Sequence, residues 1–480
     1  MTMKKNNQID SFVETYVQAL RDNNAGVFAG AGFSIAAGMV DWKGLLKPIA
    51  KDIGLEVEKE SDLITLAQFH ENERGGRHKI NQALITEFNK QAKGTENHRI
   101  LANLPIRTYW TTNYDKLIEN ALLEAGKRPD VKITAKGLAV SEPGASAVVY
   151  KMHGDVSLPD EAVLTKNDYE TYESDRHLFS LALQGDLVSK TLLFIGFSFN
   201  DPNLAYILGR IRVLLNENRR EHYSLMRRVN KKDFKTIKDY HYAVARQELQ
   251  VRDLKRYGII GVLVDSYDEY ASVLKRISEK YNMGRVFISG SAASYAPWTE
   301  NKSQEVVQNI SGGLAKNGFT VVSGFGVGVG PYVVNGVLEQ LEREVTRELD
   351  ERLVLRPFPI SISDPVQRKK RWRAYRQDIL KNAGVAIFVF GNKYDDHGQL
   401  IDADGVLEEF NLAIENKMFV VPIGCTGGAA KTLHDMIAAD FSRYYDKNYK
   451  TDFMALSKAG SAKDIADRTI KFINRLRNDA

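Results

Sequence analysis

Cysteine is almost absent from this sequence: Cys425 is the only one in 480 residues. A single thiol excludes an intrachain disulfide framework and any zinc site built from several cysteines. Long apolar runs are missing too, and none approaches the roughly 20 residues of a membrane-spanning helix. Met1-Thr2-Met3-Lys4-Lys5 leads into an amphipathic stretch without the apolar core of a secretory signal. Charge of one sign is also lacking, since 66 basic residues stand against 61 acidic ones for a net +5. That balance is too mild to argue for nucleic acid as a partner. These absences predict a cytoplasmic protein that uses no membrane and no metal. The length exceeds one ordinary core, so two or three domains are expected.

What is present alternates. Ile9, Phe12, Tyr16, Val17 and Leu20 recur at helical spacing. Strand-like apolar runs follow, ending near residues 29, 112, 152 and 196, with two more at 223–226 and 259–264. Helical patterns at 42–50, 63–69 and 80–88 separate the first two runs and read as a helical insertion. A second series starts at Arg285–Ser291 and continues at 320–323, 353–355, 385–390 and 419–423. Strands alternating with helices predict parallel sheets. The expected fold class is therefore α/β, with two Rossmann-like parallel-sheet domains in tandem, residues 1–283 and 284–480.

Ligands in such sheets bind at the carboxyl ends of the strands, and that is where the polar residues collect. Val27-Phe28-Ala29 enters Gly30-Ala31-Gly32-Phe33-Ser34, a glycine turn that lets backbone approach a phosphate at a helix start. The dehydrogenase fingerprint needs a third glycine at position 35, where Ile35 stands. A glycine turn can also serve tight packing alone. The next runs end at Asn113 and Asp115, at His153-Gly154, and at Gly196, Ser198 and Asp201. An Asn amide can orient a water or a ribose hydroxyl, and a His near neutral pKa can take its proton. The plainer alternatives are a structural histidine, turn residues at 113–115, and a helix start at Asp201-Pro202.

Gly30-Ala31-Gly32-Phe33-Ser34, Thr112-Asn113-Tyr114-Asp115 and His153-Gly154 resemble, in order, the sirtuin-type NAD-binding motifs. The resemblance implies NAD as substrate, a phosphate cradle at Ala29, Gly30, Ala31, Gly32 and Ser34, and a catalytic His153. Asn113 and Asp115 would line the nicotinamide and ribose end, with Asn113 acting in catalysis. Gly196, Ser198 and Asp201 join the candidate NAD contacts by their place at a strand end. Protein-deacylating sirtuins also carry a four-cysteine zinc ribbon and a Phe-Gly-Glu segment that docks the acyl-lysine peptide, and both are missing here. Without a peptide clamp, water is the expected acceptor, giving ADP-ribose and nicotinamide. Protein deacylation, ADP-ribosyl transfer and non-catalytic nucleotide sensing stay open as alternatives.

In the second domain, Ser289-Gly290-Ser291, the train Ser323-Gly324-Phe325-Gly326-Val327-Gly328-Val329-Gly330 and Phe390-Gly391-Asn392-Lys393 resemble the SLOG domains. These are Rossmann-like sensors of nucleotide-derived ligands. Their base-releasing relatives use a Pro-Gly-Gly-x-Gly-Thr loop that is absent here, so binding is expected rather than catalysis. Arg368, Lys369, Lys370, Arg371, Arg373 and Arg376 form a basic cluster, in which Lys369, Arg373 and Arg376 share a helix face. Such a cluster beside a glycine-lined cleft suits a compact polyphosphate or a cyclic nucleotide. The candidate ligand contacts are Ser289, Gly290, Ser291, Gly324, Gly326, Arg376, Lys393 and Glu408. Arg376 and Lys393 would meet phosphate, and Glu408 ribose hydroxyls. A Walker A loop is excluded at Lys431, because Ala430 and Cys425 occupy its two glycine positions.

In this order, and without a zinc ribbon, the two units resemble the NAD-degrading effectors of the bacterial Thoeris anti-phage systems. That resemblance implies a homo-oligomer, a tetramer, switched on by a cyclic ADP-ribose isomer. A partner TIR-domain cyclase would make that activator after infection.

Overall fold

The computed structural model describes residues 2–215, 218, 220–344, 349–358 and 364–479. The chain divides into two units, one ending at Ser278 and the next beginning at Glu279. No helix among the described residues is long and apolar enough to cross a membrane.

The strands of the first unit are β1 (Ala25–Ala29), β2 (Thr108–Thr111), β3 (Pro129–Lys132), β4 (Ala147–Lys151), β5 (Thr191–Ile195), β6 (His222–Arg227) and β7 (Ile259–Val264). They lie in the order β3-β4-β2-β1-β5-β6-β7, and each neighbouring pair is parallel. Every residue of β1 and of β5 is buried, as strands covered on both faces require. Strand order reverses between β1 and β5, so the crevice that such sheets use for ligands belongs at their carboxyl ends. The helical insertion consists chiefly of the helices Trp42–Asp52, Leu63–Arg74, His78–Phe88 and Glu96–Asn103. Its core of Leu45, Leu46, Ile49, Leu66 and Leu84 also takes in Tyr114 and Leu117. The loop after β2 is thereby anchored on the core of the insertion.

Two features escape the sequence pattern. β3 opens on Pro129 and lies at the sheet edge, the place where a missing N–H is tolerated. The helix after the glycine turn is only five residues long, Ala31–Ile35.

The second unit has a five-stranded parallel sheet of β8 (Arg285–Ser291), β9 (Thr320–Ser323), β10 (Leu353–Leu355), β11 (Val385–Phe390) and β14 (Phe419–Pro422). Its order is β10-β9-β8-β11-β14, which puts the reversal between β8 and β11. A short antiparallel hairpin, β12 (Asn392–Tyr394) with β13 (Leu400–Asp402), follows β11 and is likewise absent from the sequence reading. One apolar core runs through this unit, from Val286 and Phe287 to Phe472 and Leu476.

Candidate active site

At the end of β2, Thr111 turns the chain. Its hydroxyl donates to Ala29 O at 3.0 Å and accepts from Asn113 N at 3.0 Å. The Asn113 side chain is thereby directed at the end of β1, where Nδ2 donates to Gly30 O at 3.0 Å and Ser34 Oγ at 2.9 Å. Its Oδ1 is buried with no hydrogen-bond partner among the described residues. Asp115 Oδ1 accepts at 3.0 Å from the N–H of Leu117, the first residue of the following helix, while Oδ2 is buried and unpartnered among the described residues.

β4 delivers His153 to the same edge of the sheet, 2% exposed. Nε2 of His153 lies 3.0 Å from Asp201 Oδ2, yet neither ring nitrogen has the alignment of a hydrogen bond. The rings of Tyr169 and Tyr172 stand edge-on to the imidazole, with centroids at 5.6 and 6.4 Å. Asp201 Oδ1 accepts from Leu204 N at 2.8 Å, so this carboxylate also caps the helix Pro202–Leu215. Burial works to raise the Asp201 pKa, but His153 and the N–H groups of Leu204 and Asn203 outweigh it and hold the carboxyl below its usual range.

The glycine turn packs against the β5 loop. Gly30 N and Gly32 N donate to Ile195 O at 3.0 Å and Gly196 O at 2.9 Å, so two donors expected to cradle a phosphate are spent on protein carbonyls. Gly196 has φ +64, and a Cβ there would stand 2.1 Å from Phe33 N. Both facts demand glycine. Ser198 is exposed, and its carbonyl accepts from Gln250 Nε2 at 3.1 Å.

In the second unit, Arg376 is 8% exposed and forked by two carboxylates. Nη1 donates to Glu408 Oε2 at 2.5 Å and Nε to Glu409 Oε1 at 3.3 Å. Ser289 Oγ closes the cluster by donating to Glu409 Oε2 at 2.5 Å. Burial pushes the Glu409 pKa up, against the pull of Ser289 and Arg376. Lys393 is more exposed and pairs with Asp404 at 2.5 Å. Ser291 Oγ donates to Asn392 O at 3.3 Å. A Cβ on Gly326 would meet Gly290 O at 2.0 Å, and one on Gly324 would meet the Phe358 ring at 2.9 Å. The structure thus gathers Ser289, Arg376 and Glu408 around Glu409 and sets Lys393 on its own ion pair.

Two family profiles match the chain: a SIR2-like domain over residues 107–246 and the Sir2- and TIR-associating SLOG family over residues 269–477. The NAD(+) hydrolase ThsA of Bacillus cereus is 44% identical over 481 residues, covering 99% of this chain and 100% of that protein. The chain belongs to the ThsA family. The NAD(+) hydrolase ThsA of Enterococcus faecium is 43% identical, over 97% of this chain and 99% of that one. A more distant relative, defense-associated sirtuin 2 of Bacillus subtilis, is 25% identical over 44% of this chain and 22% of its own length.

Within this ThsA-family site, motif reading missed a buried charge cluster. Lys151 is fully buried, and its Nζ lies 2.8 Å from Asp155 Oδ2 and 3.1 Å from Glu119 Oε1. It also donates to Asp115 O. One ammonium therefore ties the Asn113–Asp115 loop to the His153–Asp155 loop. Burial opposes the charge on Lys151, but Glu119, Asp155 and Asp115 overcome it and raise the pKa. Burial likewise outweighs Lys151 at Glu119 and raises that carboxyl, whereas at Asp155 the lysine and Ser157 prevail and lower it. The signal was in the alternation of β4, which places Lys151 on the same buried face as Ala147 and Val149.

Proposed function

We propose that this chain is a ligand-gated NAD+ hydrolase, with catalysis in residues 1–283 and sensing in residues 284–480. The observation that carries the catalytic reading is a set of buried polar atoms without partners at the ends of adjacent strands. These are Asn113 Oδ1 beyond β2 and His153 Nδ1 beyond β4. Unpaired buried polar atoms cost free energy, and an active site is where such a cost is retained.

Nicotinamide leaves ribose as a neutral base from a cationic pyridinium, so the leaving group needs little acid. The ribose C1′–N bond breaks, water oxygen bonds to C1′, and one proton must be removed. Asn113, braced by Gly30 and Ser34, would accept a hydrogen bond from the water or a ribose hydroxyl. His153 would take the proton as general base. Ala29, Gly30, Ala31, Gly32 and Ser34 would face the dinucleotide phosphates by close approach of the turn rather than through the N–H groups of Gly30 and Gly32, with Asp115, Gly196 and Ser198 along the rest of the substrate.

Gating is supported by burial. Asn113 and His153 are 7% and 2% exposed, so ribose reaches them only if the surrounding loops open. An ungated hydrolase would also exhaust its host's NAD. A cyclic ADP-ribose isomer bound in the second unit would supply the bias by preferring the open state. Arg376 and Lys393 would take its phosphates, Glu408 its ribose, and Ser289, Gly290, Ser291, Gly324 and Gly326 would form the floor. In the host cytoplasm, a TIR-domain cyclase of a Thoeris anti-phage system would produce that activator, and a homotetramer would provide the bistable interfaces. The family description that couples Sir2, TIR and SLOG units supports this arrangement.

The test is nicotinamide release by the purified chain with and without cyclic ADP-ribose isomers. Turnover that rises at least about tenfold with an isomer, and less in Arg376→Ala, is the expected result. Binding without turnover would leave a sensor, and turnover independent of the isomer would remove the gate. Labelled acyl-peptide consumption would instead reveal a deacylase.

A further inference from the structure

We propose that Asp201 is the positioning carboxylate of His153: it sets the imidazole tautomer and strengthens Nδ1 as the base, and does not hold NAD. The inference rests on His153 being the general base. Its grounds are geometric. Asp201 Oδ2 stands 3.0 Å from His153 Nε2, and its other oxygen is committed to Leu204 N. Both carboxylate oxygens therefore point at protein, and little of the side chain reaches solvent, 9% for Asp201 and 2% for His153. A residue so engaged has no free face for a substrate.

With the carboxylate at Nε2, the imidazole proton is held there and the Nδ1 lone pair is left to accept. During hydrolysis the water proton moves to Nδ1, the water oxygen bonds to ribose C1′, and the imidazolium later releases that proton to solvent. Asp201 keeps its charge throughout and stabilises the imidazolium. The oblique approach fits a pair that aligns when substrate is bound.

Tyr169 reaches Asp201 Oδ2 with its hydroxyl at 3.5 Å. Tyr169, Tyr172 and Tyr114 are all held neutral by burial, which raises each phenol. Arg176, the nearby cation, donates to the carbonyls of Ile133, Met152 and Glu161. Asp201 is thus the anion placed to act on the ring.

Asp201→Asn is the informative variant, because Asn caps a helix as well as Asp does and only the charge is lost. Nicotinamide release is measured against pH, under whichever activator condition gives turnover in the parent. The expected result is a kcat lower by about 10–100-fold with KM for NAD within about twofold. Loss of the anion removes its stabilisation of the imidazolium, so the acid limb of the kcat profile is expected to move to lower pH. Imidazole titration by NMR, with His153→Gln to assign the signal, reads the same shift without turnover. A raised KM with unchanged kcat would overturn the proposal and return Asp201 to substrate binding. A lower kcat with neither the pH limb nor the NMR titration moved would also overturn it. Full activity in His153→Ala would remove the underlying base assignment, an outcome distinct from either.

Discussion

His153→Ala is expected to lower NAD hydrolysis about a thousandfold while leaving the fold intact. The size follows from the role: a positioned general base contributes roughly 10²–10⁴ in rate. The small effect on stability follows from the contacts. His153 makes no aligned hydrogen bond from either ring nitrogen, and it packs against Tyr169 and Tyr172. Asp201, 3.0 Å from Nε2, keeps Leu204 N and the Tyr169 hydroxyl as partners when the ring is removed. Truncation forfeits ring packing and leaves a small cavity, worth about 1–3 kcal/mol. His153→Gln fills more of that space and is expected to be as inactive and closer to the parent in stability. Single-turnover nicotinamide release and urea unfolding, run on the same preparations, separate the two effects. Activity within tenfold of the parent, with a normal unfolding midpoint, would place the base elsewhere.

The strands and their order along the chain were legible because parallel strands buried on both faces are written as unbroken apolar runs. Thr191–Ile195 and Val385–Phe390 are buried at every position. β3 was not legible, since an edge strand can open on proline and alternate in burial. Around the site, the sequence places residues at strand ends but does not say which of them meet. Asn113 stood out by its motif, whereas its bracing by Gly30 O and Ser34 Oγ depends on how β1 and β2 pair. The glycine turn is ambiguous for a physical reason: phosphate approach and backbone packing both call for a residue without Cβ. Here Gly30 and Gly32 meet the Gly196 loop. Asp201 could be read as a helix start or as a site residue, and its two oxygens divide between the cap and His153. Lys151 went unread because motif matching looks past a strand to the loop beyond it.

Lys151→Met carries the largest expected cost in stability. The substitution keeps a long side chain in the strand but leaves buried Glu119 without its cation and buried Asp155 with only Lys116, at 3.9 Å. Removing one partner of a buried charge cluster typically destabilises by about 3–5 kcal/mol, a large part of the stability of an ordinary domain. The cost should depend on pH in a defined direction. The Asp155 pKa is depressed in the folded state, mainly by Lys151 against its burial. Its contribution is present above the unfolded carboxylate pKa and fades as pH falls through the folded value. Glu119 is already raised by burial, and without the lysine it rises further and takes up a proton more readily. The gap between parent and variant should therefore be widest near neutral pH and narrow on acidification. Adding Glu119→Gln and Asp155→Asn to Lys151→Met removes the stranded charges and should restore part of the loss, the signature of coupled neighbours. Activity should not return with it, because the ammonium bonded to Asp115 O is what ties the Asn113 loop to the His153 loop. Urea unfolding across pH and nicotinamide release on the same variants test both halves. An unchanged pH dependence would mean that the cluster is not ionised as described. Recovered turnover in the triple variant would mean that the tether does not position the two loops.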